Sequence, residues 1–130
     1  MADLKRTGRN NQKRGVSVFT SEIMATAVAQ DDTLATLPAG SVVTNAYVVV
    51  TTVSGTTTDT VDIKVGSTVV GNECVVGVIG LGVGTPAPTY FGTGGDISVV
   101  SGADAPDTAG EYRVVVEYVE LNKTTGEYTN

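Results

Sequence analysis

More than a third of this chain branches at Cβ, and that feature constrains its fold more than any other. Val, Ile and Thr supply 23, 4 and 20 of its 130 residues, against 5 Leu. Two heavy atoms on Cβ stiffen χ1, so such side chains pack well on a pleated sheet and lose freedom in a helix. A helical bundle is excluded. A chain of this length makes one domain and buries roughly two-thirds of its extended surface, enough for a core without metal or disulfide staples. The single Cys excludes an internal disulfide framework and a zinc ribbon. The absence of His removes the commonest general base and metal ligand, so conventional catalysis is not expected and no cofactor is implied.

The β-formers fall into runs separated by turn signals. Val16–Thr26 reads as a first strand, and Ala25–Gln30 as a short helix or a loop. Leu37-Pro38-Ala39-Gly40 marks a turn. Ser41–Val53 is the strongest strand. Simple alternation puts Val42, Ala46, Val48 and Val50 on one face and Val43, Tyr47, Val49 and Val53 on the other. Apolar residues on both faces indicate a central strand or an interface. Asp59–Val65 alternates as a half-buried strand, and Gly66-Ser67 turns it into Thr68-Val69-Val70 as a hairpin. Cys74–Ile79 reads as a further strand with a bulge at Gly77, and Gly80–Pro88 as a flexible loop. Asp96–Val100 and Glu111–Leu121 complete the set, and Ser101–Gly110 is an acidic loop. About seven or eight strands without a βαβ rhythm predict an all-β protein, an antiparallel β-sandwich of jelly-roll type. The expected organisation is an extended arm over 1–15, a sandwich over 16–121 and a polar tail over 122–130.

Charge divides the chain unevenly. The net charge is −6, but Lys5, Arg6, Arg9, Lys13 and Arg14 crowd the first 14 residues against Asp3 alone. The remainder holds 3 basic and 13 acidic side chains. An acidic body repels nucleic acid, so nucleic acid is not an expected partner and the arm suits an acidic protein surface. No stretch reaches ~18 consecutive apolar residues, so no membrane span is expected. The N-terminus lacks the apolar segment of a secretory signal, which points to synthesis in a reducing cytoplasm.

Candidate chemistry is sparse. The carboxylate clusters Asp31-Asp32, Asp59/Asp62 and Asp104/Asp107 match ordinary turn chemistry, and none forms an EF-hand spacing. Glu111, Glu117 and Glu120 lack the aromatic platforms of a sugar-hydrolysing cleft. Arg113 and Glu117, four apart on one strand, are expected to form an ion pair. Cys74 in its apolar run reads as a small buried hydrophobe. Gly80-Leu81-Gly82 opens like a phosphate loop but has Thr85 at the sixth position and leads into no helix.

Four segments together carry a family resemblance: Leu37-Pro38-Ala39-Gly40 ahead of the Val-rich strand, Thr60–Gly66, Tyr90–Gly95, and Tyr112–Tyr118. Over residues 16–128 the chain resembles the small capsid decoration or cement proteins of tailed bacteriophages. The resemblance implies a non-enzymatic structural virion protein on the outer surface of an icosahedral shell. Its implied partners are the major capsid protein, whose subunits it bridges, and further copies of itself in dimers or trimers. On that reading Lys5, Arg6, Arg9, Lys13 and Arg14 dock the arm on acidic capsid or sibling surface, and Val43, Tyr47 and Val49 belong to a self-association strand. The alternative is a receptor- or glycan-binding sandwich of a head fibre or tail that uses the 80–88 and 101–110 loops.

Overall fold

The computed structural model describes residues 16–121. The arm with its five basic side chains and the tail over 122–130 lie outside the described residues. Within them are eleven strands and no helix: β1 Ser17–Thr20, β2 Met24–Ala25, β3 Asp31–Leu37, β4 Ser41–Thr52, β5 Thr60–Val65, β6 Thr68–Val75, β7 Gly80–Gly82, β8 Thr85–Pro86, β9 Thr89–Phe91, β10 Gly95–Ser101 and β11 Glu111–Glu120. They form two antiparallel sheets. The first runs β1-β11-β4-β7, with β2 also on β11 and β9 also on β4; the second runs β3-β10-β5-β6-β8. β1 with β2, and β7 with β9, each fill a single row beside a longer strand. Numbered along the chain with the two-residue β8 set aside, the rows run 1-8-3-6 in one sheet and 2-7-4-5 in the other, and β8 adds a short edge beside β6. That interleaving is the jelly roll expected from the sequence.

The core is the space between the two inner faces. Val48, Val50, Val114 and Val116 of the first sheet meet Val61, Ile63, Ile97 and Val99 of the second, and all are essentially inaccessible. Short branched side chains suit this layer because they fill it without long, entropically costly stems.

Bulges correct the alternation read from β4. Asn45 opposes Glu117 but Val43 opposes Tyr118, so Thr44 is an extra residue in the strand. An extra residue reverses the parity of everything beyond it. Val43 therefore points into the core, 1% exposed, and only Tyr47 and Val49 of the expected self-association residues remain on the outer face. Val42 goes outward in its place. The Thr44 hydroxyl donates to the Glu117 carbonyl oxygen at 3.2 Å.

Other boundaries also differ from expectation. Ala25–Gln30 contains no helix, and Asp31–Leu37 is a strand, because β3 is an edge whose acidic residues face solvent. The first strand is split in two: Thr20 opposes Val115 and Met24 opposes Tyr112, which leaves one residue too many between them. Thr68–Val75 continues through Gly71 as one strand, and Gly77 lies in a bend against Thr56 rather than in a bulge. Gly80–Pro88 is not a free loop. β7 pairs with β4 and β8 with β6, so the segment crosses between the sheets. A Cβ on Gly82 would stand 1.9 Å from the Val75 carbonyl oxygen, and one on Gly84 1.8 Å from that of Asn72. The Gly66-Ser67 hairpin forms as expected, with positive φ at Gly66 alone, the sign pattern of a type II′ turn.

The registers also give the molecule two unlike ends. The segments 26–30, 53–59, 76–79 and 102–110 meet at one end. The short turns 38–40, 66–67 and 92–94 lie at the other, where Val16 and Leu121 also lie.

Candidate interaction surfaces

A buried carboxylate helps to hold the long-loop end. Asp59, 3% exposed, accepts from the Ser54 hydroxyl at 2.6 Å, the Thr56 hydroxyl, and the Thr56 and Asp107 amides at 3.3 and 3.2 Å. Burial by itself raises its pKa. The four hydrogen bonds outweigh burial and hold the carboxyl below its usual range. Asp59 thereby ties the 53–59 loop to the 102–110 loop. Thr26 joins the next loop, accepting from the Gly110 amide at 2.9 Å, and Gln30 donates its amide to the Ser101 hydroxyl at 2.8 Å. Glu73 adds a further tie. It sits in a β6 bulge opposite Asp62 with φ +59°, unusual for a non-glycine. Its carboxylate accepts from the Thr60 hydroxyl at 2.6 Å and the Ala103 amide at 2.9 Å. On this braced end Val28, Val53, Val78 and Ile79 remain exposed, Ile79 by 60%. Exposed apolar side chains mark a candidate binding surface where they gather into one patch.

The outer face of the first sheet is a second such surface. Thr20, Val115 and Tyr47 stand in one cross-strand row, and Arg113, Val49 and Leu81 in the next. Leu81 is 67% exposed, while Val115 is buried to 7%. The Tyr47 hydroxyl donates to Glu117 at 3.2 Å. Burial, that bond and the neighbouring negative charge all raise its pKa. Arg113 donates to the Ser21 carbonyl oxygen at 2.9 Å. The expected Arg113–Glu117 ion pair does not form, since each side chain has found another partner.

A third feature lies along the side of the sandwich, where the β1/β2 edge of one sheet faces the β3 edge of the other. A cleft of about 380 Å³ opens there, lined by Phe19, Met24 and Leu34 with Glu22 on its wall. Sequence reasoning missed it because it is made by two bulges. One follows Ser21, whose hydroxyl accepts from the Val114 amide at 2.9 Å; the other is Leu34, the extra residue where β3 slips against β10. Neither leaves a mark in the residue pattern.

Cys74 is fully enclosed, and burial, partly offset by a backbone hydrogen bond from Gly84, pushes its thiol up to about 11. Asp104 and Asp107 lie in the 102–110 loop, as turn chemistry predicted, whereas Asp31 and Asp32 lie on the edge strand β3. No group of three His, Cys, Asp or Glu side chains is placed to hold a metal among the described residues.

No protein-family model matches the chain, and no curated protein matches it. A solved structure does: a chain of the cyanophage Pam1 capsid asymmetric unit, with a TM-score of 0.58 and 20% identity. The match covers 83% of this chain and 86% of that one, so the two chains share a fold over most of their lengths.

Proposed function

We propose that this protein is a non-enzymatic structural component of a phage virion, a decoration subunit that sits on the outer capsid surface and bridges major capsid subunits. The observation that carries the reading is the fold shared, over most of both chains, with a chain of a capsid asymmetric unit. The exposed apolar side chains on the braced loop end support it, because a cement protein has to present a preorganised surface to a rigid lattice. On this reading Val28, Val53, Val78 and Ile79 seat the subunit on the shell. Tyr47, Val49 and Leu81 on the outer sheet face join copies into dimers or trimers. The basic arm, Lys5, Arg6, Arg9, Lys13 and Arg14, docks on acidic protein surface. Individually weak contacts suffice when each subunit bridges several neighbours at once.

Counting copies of this chain per major capsid protein in purified particles tests the proposal. A fixed stoichiometry, with particles that lose heat resistance when the subunit is omitted, is the expected result. Absence from particles, or trace and variable amounts, refutes it.

A further inference from the structure

The acidic body holds almost no counter-charge of its own. Among residues 16–121 there are two basic side chains, Lys64 and Arg113, against twelve acidic ones. Arg113 is committed to a backbone carbonyl oxygen. Of the exposed carboxylates, Glu22 lines the side cleft, and Asp31 and Asp32 precede its Thr33 on β3. Among the described residues, Glu22 and Asp31 have no side-chain hydrogen bond or ion pair, and Asp32 accepts from Gln30 alone. Phe19, Met24 and Leu34 pack against the core yet stay partly open in the cleft, and Thr20, Ser21 and Thr33 complete its lining. An apolar floor with an unneutralised acidic rim fits a basic segment that carries an apolar side chain.

The chain contains one such segment. Residues 1–15 carry five basic side chains and Leu4. Fully extended, they reach roughly 50 Å, more than the ~40 Å length of the twelve-residue β4. They join the body at Val16, at the end away from the long loops. From there β1 runs toward its own cleft. Val16 therefore stands at one end of β1 and the cleft at the other.

We infer that the basic arm of one copy docks in the side cleft of a neighbouring copy. Leu4 sits on the Phe19, Met24 and Leu34 floor, with Lys5, Arg6 and Arg9 against Glu22, Asp31 and Asp32. Arm-to-cleft contacts can be exchanged reciprocally in a two-fold pair or run from copy to copy in a ring. The inference rests on reading the arm as a docking element and names the surface it takes. The bulges on both edge strands oppose a continuous added strand, so charge and the apolar anchor carry the contact.

The test is photo-cross-linking of the full chain in solution, without capsids, with Leu4→p-benzoylphenylalanine. The expected result is dimer and larger products whose adducts map within residues 16–37. Raising salt from 50 to 500 mM should reduce their yield. Glu22→Gln with Asp31→Asn should reduce it roughly three- to tenfold, while Asp96→Asn, at the opposite end, leaves it unchanged. Both sets of variants alter exposed side chains, and unchanged denaturation midpoints verify their folding. Adducts confined to the monomer band, adducts mapping elsewhere, or equal loss with Asp96→Asn overturn the inference. Cross-linking that succeeds while particles lack the protein refutes only the capsid reading; particle occupancy without cross-linking refutes only the arm–cleft contact.

Discussion

Tyr112 is the largest side chain fully enclosed in the core, and its hydroxyl has no hydrogen-bond partner among the described residues. Burial drives its pKa far upward, so it stays neutral at any ordinary pH. A buried hydroxyl without a partner opposes folding. Tyr112→Phe should therefore leave stability unchanged or raise it by about 1 kcal/mol in urea denaturation. Ile63→Ala, which deletes aliphatic volume from the same core, should cost about 2–5 kcal/mol. Asp59 makes the opposite prediction. Its carboxyl is held below the usual range when folded, so the stability it supplies is complete above the unfolded value near ~3.9 and is lost as pH falls through the folded value. Asp59→Asn should cost about 1–3 kcal/mol at pH 7. Denaturation from pH 6 down to 2 should show a shallower acid loss in that variant than in the wild type. Both roles depend on what surrounds the residue. Tyr112 and Asp59 look in the sequence like any strand tyrosine and any turn aspartate.

Among elements, the long hydrophobic strands were legible and the short ones were not. β4, β5, β10 and β11 lie within a residue or two of their expected limits, because burial of one or both faces writes a period-2 pattern into the residues. β3 was missed because an edge strand needs no such pattern on its solvent side. β7 and β8 were missed because a strand of two or three residues is defined by its partner. The glycines of that crossing segment are the sharpest test of its observed path. Gly82→Ala forces a Cβ onto the Val75 carbonyl oxygen and should cost upwards of about 2 kcal/mol. Gly66→Ala has open space around it and bears only its left-handed φ, a cost of about 1 kcal/mol. A flexible, unpaired 80–88 loop would give Gly82→Ala the smaller effect. Urea midpoints of the two variants decide between these orders.

For the whole molecule, the two unlike ends and the acidic side cleft predict separable defects. Ile79→Asp, on the braced loop end, should lower capsid occupancy without altering self-association. Val49→Asp or Leu81→Asp, on the outer sheet face, should shift sedimentation toward monomer. Deleting residues 2–14 should weaken particle occupancy and reduce its salt dependence. Full occupancy under varied salt after that deletion would show that the arm takes no part in attachment. Ile79→Asp and the arm deletion both lower occupancy, and only the deletion also reduces its salt dependence.

The sequence by itself determined the class of this protein. A chain so rich in Val and Thr, with one Cys and no His, has few ways to bury its surface other than a β-sandwich, and its short-range alternation located the long strands. It also revealed the division into a basic arm and an acidic body, since charge is a property of composition. Only the tertiary structure decided which face each residue serves. A single inserted residue, Thr44, moves Val43 from the surface to the core, and such bulges are settled by the partner strand rather than by local preference. The same holds for the side cleft. Two edge strands from different sheets create it, and they meet only after the jelly roll has closed.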